Sequence, residues 1–288
     1  MPMKHLILAF SCTLLFSQND TTFMRDYYQY DLREYESVDI NLNFGLGELD
    51  IGSYHKSKTI SGKIEYNPNH TDTDVDFSSN GTKAYLTIDG DNWDLDMTKL
   101  GEQVGIDDEF HNFMDFELAK DIPTELQLDF GLGQGKIDLT NISLTYFELD
   151  CGLSDVKVSM VRSNDVTCER VSISSGLGDF NGYELGNLNA KRFNVDVGLG
   201  AATIDLRGKF DEDMDLSVDV GLGALELILP DNVNIKLRVD HSFLSSVDVD
   251  GLMSKSNNKY VSRDWDENRP TITGSISVGI GSVDVEVD

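Results

Sequence analysis

Leu216-Ser217-Val218-Asp219-Val220-Gly221-Leu222-Gly223-Ala224-Leu225-Glu226-Leu227 is the stretch whose reading decides the fold. Apolar residues alternate with polar or glycine residues up to a Gly-Leu-Gly, and an apolar-acid-apolar triplet follows. A period of two is the mark of a half-buried β-strand, with one set of side chains turned inward and the other toward solvent. Leu216, Val218, Val220 and Leu222 fall on the inward phase. The same sentence is written again at Leu126, Leu128, Phe130 and Leu132, alternating with Gln127, Asp129, Gly131 and Gly133.

The signature recurs along the chain at Gly45-Leu46-Gly47, Gly131-Leu132-Gly133, Gly152-Leu153-Ser154, Gly176-Leu177-Gly178, Gly198-Leu199-Gly200, Gly221-Leu222-Gly223 and Gly279-Ile280-Gly281. From Gly131 the first glycines advance by 21, 24, 22 and 23 residues, and Gly45 lies 86 residues before Gly131. A degenerate copy sits at Phe243-Leu244-Ser245, one period after Gly221. Triplets follow at Leu49-Asp50-Ile51, Ile137-Asp138-Leu139, Ile204-Asp205-Leu206, Leu225-Glu226-Leu227, Val247-Asp248-Val249 and Val283-Asp284-Val285. A repeat of short strands that cannot bury its own apolar face stacks on its neighbours. The expectation is an all-β, single-domain β-solenoid of about 22-residue rungs, with glycines at corners where the chain turns or another backbone comes close. A third stretch of the Ile235–Val239 kind is expected to complete each turn.

The chain has 288 residues, is 40% hydrophobic and carries 51 acidic against 23 basic residues, a formal net charge of -28. Such a surface repels phosphate backbones and anionic headgroups, which argues against nucleic acid as a partner. Life outside the cytoplasm suits it, as does adaptation to high salt. Lys4 followed by the apolar run His5–Phe16 and the polar Ser17–Asp20 has the layout of a secretory signal peptide over residues 1–17. Leu8-Ala9-Phe10-Ser11-Cys12 also resembles a lipoprotein cleavage box. No later segment reaches the roughly 18 apolar residues of a transmembrane helix. The predicted organisation is signal 1–17, a polar tyrosine-rich lead-in 18–38, and a solenoid 39–288 with irregular insertions near 96–115 and 251–270, the latter a protruding hairpin or loop. The predicted location is periplasmic, outer-surface or extracellular.

Chemistry is sparse. Past the signal, Cys151 and Cys168 are too few for a disulfide framework. His55, His70, His111 and His241 lack metal-ligand spacing. Gly131–Lys136 has neither the spacing nor the Ser or Thr of a phosphate loop. The sequence therefore offers no catalytic or cofactor-binding residue. Asp129, Asp150, Asp196 and Asp219 share one outward register, with Ser174 in the gap, and form the candidate cation ladder. Asp138, Asp205, Glu226, Asp248 and Asp284 suggest a second register, interrupted by Lys157. Oxygen-rich ladders of this kind could hold calcium weakly, and a solvated acidic face is the simpler reading.

The Gly-x-Gly-x-apolar-Asp-apolar recurrence, the Asp121-Ile122-Pro123 lead into a rung and the closing Ser277–Val285 resemble the toast-rack family. Its adhesin-like β-solenoids are related to the C-terminal domain of LiaF-type cell-envelope stress proteins. The resemblance spans residues 38–288. It implies a non-enzymatic, envelope-associated structural or interaction module whose partner is an envelope or extracellular protein or a glycan. The family contributes no catalytic residues, and the membrane helices of the LiaF-type relatives have no counterpart here. The alternative is a carbohydrate-active enzyme of the parallel β-helix type.

Overall fold

Alternation, repeat and glycine corners all leave their mark on the computed structural model, which describes residues 12–18, 21–69, 71–93 and 112–288. Seven long strands carry the Gly-x-Gly signature: β3 (Ser37–Ser57), β8 (Thr124–Asp138), β9 (Leu144–Ser159), β10 (Arg170–Tyr183), β11 (Arg192–Asp205), β12 (Met214–Leu229) and β17 (Thr271–Val287). Each bends at its glycines into two arms. They stack in parallel in the order β3-β8-β9-β10-β11-β12-β17. The stack is one sheet creased along the glycine column.

In-register stacking turns the sequence repeat into columns. Leu42, Leu128, Leu149, Ile173, Val195, Val218 and Ile276 lie one above the next inside the first arm, and all are buried. Leu225 and Leu227 supply the inward positions of the second arm, next to Val283 and Val285. Phe44 stacks on Phe130 with ring centroids 6.0 Å apart, filling the first-arm end of the core near β3. Burying side chains of this size contributes about 1.5–3 kcal/mol each, and a single rung has nothing to bury them against.

The third side is not a strand. Between β8 and β12 the chain returns through irregular turns, one of them a 3-10 turn at Leu185–Leu188, whose apolar residues Leu139, Met160, Leu188 and Leu206 close the core. Asparagines carry the polar contacts between these turns. Asn164 Nδ2 donates to the carbonyls of Leu144 (2.7 Å) and Leu188 (3.1 Å), and Asn187 Nδ2 donates to Met160 O (2.9 Å). A buried side-chain amide can satisfy backbone groups that a turn leaves without a ladder partner. Ile235–Val239, expected on this side, belongs instead to β13 (Asn234–His241), a first-arm strand.

Both ends of the stack close with a rung broken at its corner. At one end β6 (Lys83–Trp93) covers the first arm of β3 and β7 (Phe113–Lys120) covers the second. At the other, β13 covers the first arm of β17 and β14 (Ser245–Val249) covers the second. The degenerate copy at Phe243 is thus a real rung, but it does not lie on β12: β17 sits between them. Antiparallel strands then shield the broken rungs. β5 (Thr71–Asn80) pairs with β6, β4 (Thr59–Tyr66) with β7, and β16 (Lys259–Ser262) with β13. β15 (Leu252–Ser256) forms with β16 the hairpin expected in the 251–270 insertion. A parallel stack otherwise ends in unpaired backbone groups, which invite edge-to-edge association.

The N-terminal segments add to the same shield. β1 (Cys12–Gln18) pairs with β2 (Thr21–Asp31), which pairs with β4. Most of the expected signal, residues 1–11, and most of the 96–115 insertion lie outside the described residues. The tyrosine-rich stretch expected as a polar lead-in is instead the strand β2, with Phe23, Tyr30 and the following Leu32 buried. Its tyrosines supply apolar ring surface, as in the stacking of Tyr30 on Phe77 at 4.7 Å.

Candidate functional site: the corner ridge and its acidic flank

The corner is where sequence and structure part. Strict alternation places Leu222 inward with Val218 and Val220. Those two valines are buried, but Leu222 faces solvent. The chain turns between Gly221 and Ala224, the phase slips by one, and Leu225 is the next inward residue. Every corner does the same. Leu153, Leu177, Leu199, Leu222 and Ile280 keep between 44% and 54% of their surface exposed, and Leu46 and Leu132 are half-buried. Leu46, Leu132, Leu153, Leu177, Leu199, Leu222 and Ile280 pair rung to rung in register. They form one continuous apolar ridge along the crease. At its end, in the turn between β13 and β14, stand Phe243, 94% exposed, and Leu244.

The glycines explain why the ridge is bare on both sides. A Cβ on the first glycine would come within 2.6 Å of the preceding rung's carbonyl oxygen at Gly198 and 2.5 Å at Gly279. The second glycine adopts a positive φ, +149° at Gly200, and a Cβ there would lie 1.9 Å from Gly178 O. Corner and close approach are therefore the same fact: the chain turns, and the neighbouring rung's backbone fills the space of a side chain. Two side-chain-poor columns flank the ridge as a result, one all glycine and the other glycine except for buried Ser154.

Asp129, Asp150, Asp196 and Asp219 line the first-arm side of the ridge, three residues before each ridge residue, and all are exposed. Their column reads Asp89, Asn43, Asp129, Asp150, Ser174, Asp196, Asp219, Ser277, Asp240, so these four carboxylates meet one another only as the pairs Asp129/Asp150 and Asp196/Asp219. Partial burial first, then the charges of Glu148 and Asp129, push the Asp150 carboxyl above its usual range. Among the described residues no three His, Cys, Asp or Glu side chains come together as a metal-ligand group.

The second acidic register is corrected. Glu226 pairs with Asp284 and with Thr203, and Asp284 pairs with Asp248, but Asp205 pairs with Ile228 and Asp138 with Ser159. The full column is Asp115, Asp50, Lys136, Lys157, Asn181, Thr203, Glu226, Asp284, Asp248. Asp138 and Asp205 sit two positions further, at the ends of their arms, where they organise turns. Asp138 accepts from Thr140 N–H at 3.0 Å. Buried Asp205 accepts from Arg207 N–H (2.9 Å), Nε (3.0 Å) and Nη2 (2.9 Å).

Cys151 and Cys168 are free and buried in the core, where the apolar surroundings push both thiols up to about 12. His55 lies against the Tyr54 ring on the surface at 4.2 Å. His70 and His111 lie outside the described residues, and His241 ends β13 opposite Val278.

A parallel solenoid of creased rungs, capped at both ends and presenting its repeat as outward columns, is a scaffold class in which the surface rather than a cleft carries the role. This chain belongs to the toast-rack family: the family model for the N-terminal domain of toast_rack, DUF2154, matches residues 17–181. The rungs beyond that match repeat the same design. Two solved structures are similar. A "putative cell adhesion protein" from Clostridium sporogenes is 18% identical over 92% of this chain and 99% of its own, with a TM-score of 0.47. A "putative adhesin" from Bacteroides fragilis is 15% identical over 91% of this chain and 96% of its own, with a TM-score of 0.35. No curated protein matches the chain.

Proposed function

We propose that this chain is a non-enzymatic, exported, envelope-associated interaction module that engages a partner along the corner of its solenoid. The observation that carries this reading is the ridge: Leu153, Leu177, Leu199, Leu222 and Ile280 aligned and exposed on successive rungs. Monomeric soluble proteins rarely leave a contiguous apolar strip in water, and such strips mark surfaces that another molecule covers. Membership of the toast-rack family supports the envelope assignment. Among the described residues no helix is long and apolar enough to cross a membrane.

The module is tested by placing a photo-crosslinking residue at Leu199 and fractionating the envelope. Specific adducts that vanish when Leu177 and Leu222 become Gln support it; identical adducts in both forms overturn it. Mass spectrometry of the N-terminus tests export, with a start near Gln18 expected and an intact Met1 in the cytoplasm as the contrary result. The parallel β-helix enzyme is the competing reading. Incubation with uronate polymers is expected to yield no unsaturated ends.

A further inference from the structure

The chemistry beside the ridge narrows what covers it. Take each corner from three residues before the ridge residue to two after: Asn43–Glu48, Asp129–Gln134, Asp150–Asp155, Ser174–Asp179, Asp196–Ala201, Asp219–Ala224 and Ser277–Ser282. These windows hold Glu48, Asp129, Asp150, Asp155, Asp179, Asp196 and Asp219, and not one Lys, Arg or His. The contrast with the rest of the surface is local. Four positions further out on the first arm, Lys83 reaches Asp39 (3.1 Å) and Glu125 (3.0 Å), and Arg170 and Arg192 stand in that same column. On the second arm Lys136 and Lys157 stand exposed two positions beyond Gln134 and Asp155, and no cation enters the windows themselves. An apolar strip bordered by carboxylates alone complements an apolar strip bordered by cations.

Geometry selects the form of the partner. The ridge runs across the strands, so its residues repeat every ~4.8 Å, the spacing of neighbouring strands. A partner strand laid along it would present side chains to one face every ~6.7 Å, two residues of rise. A helix presents one turn every 5.4 Å, close to the rung step. The five well-exposed ridge residues span about 19 Å, which matches about 13 residues of helix at 1.5 Å each. The side-chain-poor columns let such a helix settle against backbone on either side of the leucines. A second copy of this chain fits badly, because it would bring a second acidic border against the first.

We propose that the ridge is the docking site for a cationic amphipathic helix, with a leucine-rich stripe over Leu153–Ile280 and lysine or arginine on its flanks over Asp150, Asp155, Asp179, Asp196 and Asp219. This rests on the reading of the ridge as a docking surface. The probe is a synthetic helical peptide of about 14 residues, leucines at helical spacing on one face and lysines on both borders, titrated against the full chain by fluorescence anisotropy. The controls are a scrambled peptide of equal charge and a version with glutamates in place of the lysines. Wild type is expected to bind the lysine peptide at least about tenfold more tightly than either control, a step of 1.4 kcal/mol, and more weakly as salt rises. The triple variant Leu177→Gln/Leu199→Gln/Leu222→Gln, whose melting temperature should match wild type, loses that preference. Asp196→Asn/Asp219→Asn keeps binding but with a flatter salt dependence.

Equal binding of the scrambled peptide overturns the proposal in favour of charge alone. Preferential binding of the glutamate peptide, ridge-dependent self-association in sedimentation, or ridge-dependent binding to phosphatidylcholine vesicles overturns the cationic helix while leaving the ridge as a docking surface. No binding of any probe, together with envelope crosslinks from position 199 that Leu177→Gln/Leu222→Gln leaves unchanged, overturns both.

Discussion

Gly223 lies so close above Gly200 that a Cβ on Gly223 would sit 1.8 Å from the Gly200 carbonyl oxygen. The two residues are partners in the register of β11 and β12, and both hold a positive φ, +149° and +159°. Alanine at Gly200 would meet the same obstacle one rung down and would need a backbone angle that a Cβ disfavours. Gly200→Ala is expected to cost several kcal/mol, well beyond the usual point-mutation range of about 0.5–3 kcal/mol, and to widen the crease. Urea unfolding checks this; a loss under about 1 kcal/mol would mean the rungs are not packed at this distance.

Val220 and Leu222 are two residues apart, and strict alternation would give them the same fate. The structure gives them opposite ones. Val220→Asp buries an unpaired charge and should destabilise by several kcal/mol, whereas Leu222→Asp should stay near the ±0.5 kcal/mol of an ordinary surface change. Comparable losses for the two would show that the phase does not slip at the corner.

Asp150 holds its proton more tightly in the folded chain than in the unfolded one. A raised carboxyl pKa means the folded state binds more protons in the acid range, so stability falls as pH climbs from the free aspartate value through the raised one. Asp150→Asn removes that loss. The variant should be slightly more stable than wild type at pH 7 and indistinguishable from it below the carboxylate range, with a gain held under about 1 kcal/mol by solvent exposure. A less stable variant at pH 7 would mean Asp150 makes a favourable contact that outweighs its repulsion.

The Asp196/Asp219 pair should respond to ionic strength rather than to a particular cation. At a rung spacing of ~4.8 Å two unit charges repel by somewhat under 1 kcal/mol in bulk water and more near a protein surface. Sodium chloride is expected to raise the melting temperature, and Asp196→Asn/Asp219→Asn to raise it at low salt. Calcium and magnesium should act alike. A calcium gain well above that of magnesium, lost in the double variant, would instead identify an oxygen site of the calcium type.

Cys151 and Cys168 should resist alkylation at pH 8 in the native protein, since a thiol pushed up to about 12 offers almost no thiolate. Both should react once urea unfolds the chain. Rapid labelling of either in native buffer would place it outside the core.

Much of this architecture was legible from period and repeat. Alternation places Val218 and Val220 inward, and they stack buried on Val195 and Val197; the hairpin before the final strand is where the sequence suggests it. Alternation misplaces Leu132 and Leu222 because a corner spends a residue, and glycine, carrying no side chain, leaves no polarity mark where the phase slips. A signal for the second register did exist. Asp50, Glu226 and Asp284 each lie five residues after their first glycine, whereas Asp138 and Asp205 lie seven after theirs. Counting from the corner separates the column from the turn-formers, although the triplets look identical. The place of β17 had no such signal. β13 and β17 offer β12 the same alternating face, and a one-dimensional pattern does not rank two equivalent neighbours.

That interleaving sets a timetable for assembly. β12 leaves the ribosome or a translocation channel followed directly by β13, yet its permanent neighbour is β17, and β13 and β14 dock only on the far side of it. Until Thr271–Val287 emerges, the edge at Met214–Leu229 lacks its native partner. Rungs from β8 to β12 pair in chain order, whereas β13 and β14 have their parallel partner only once β17 is made. A nascent chain halted before Thr271 would leave the parallel edge of β12 without its native partner, the kind of unpaired edge that invites association.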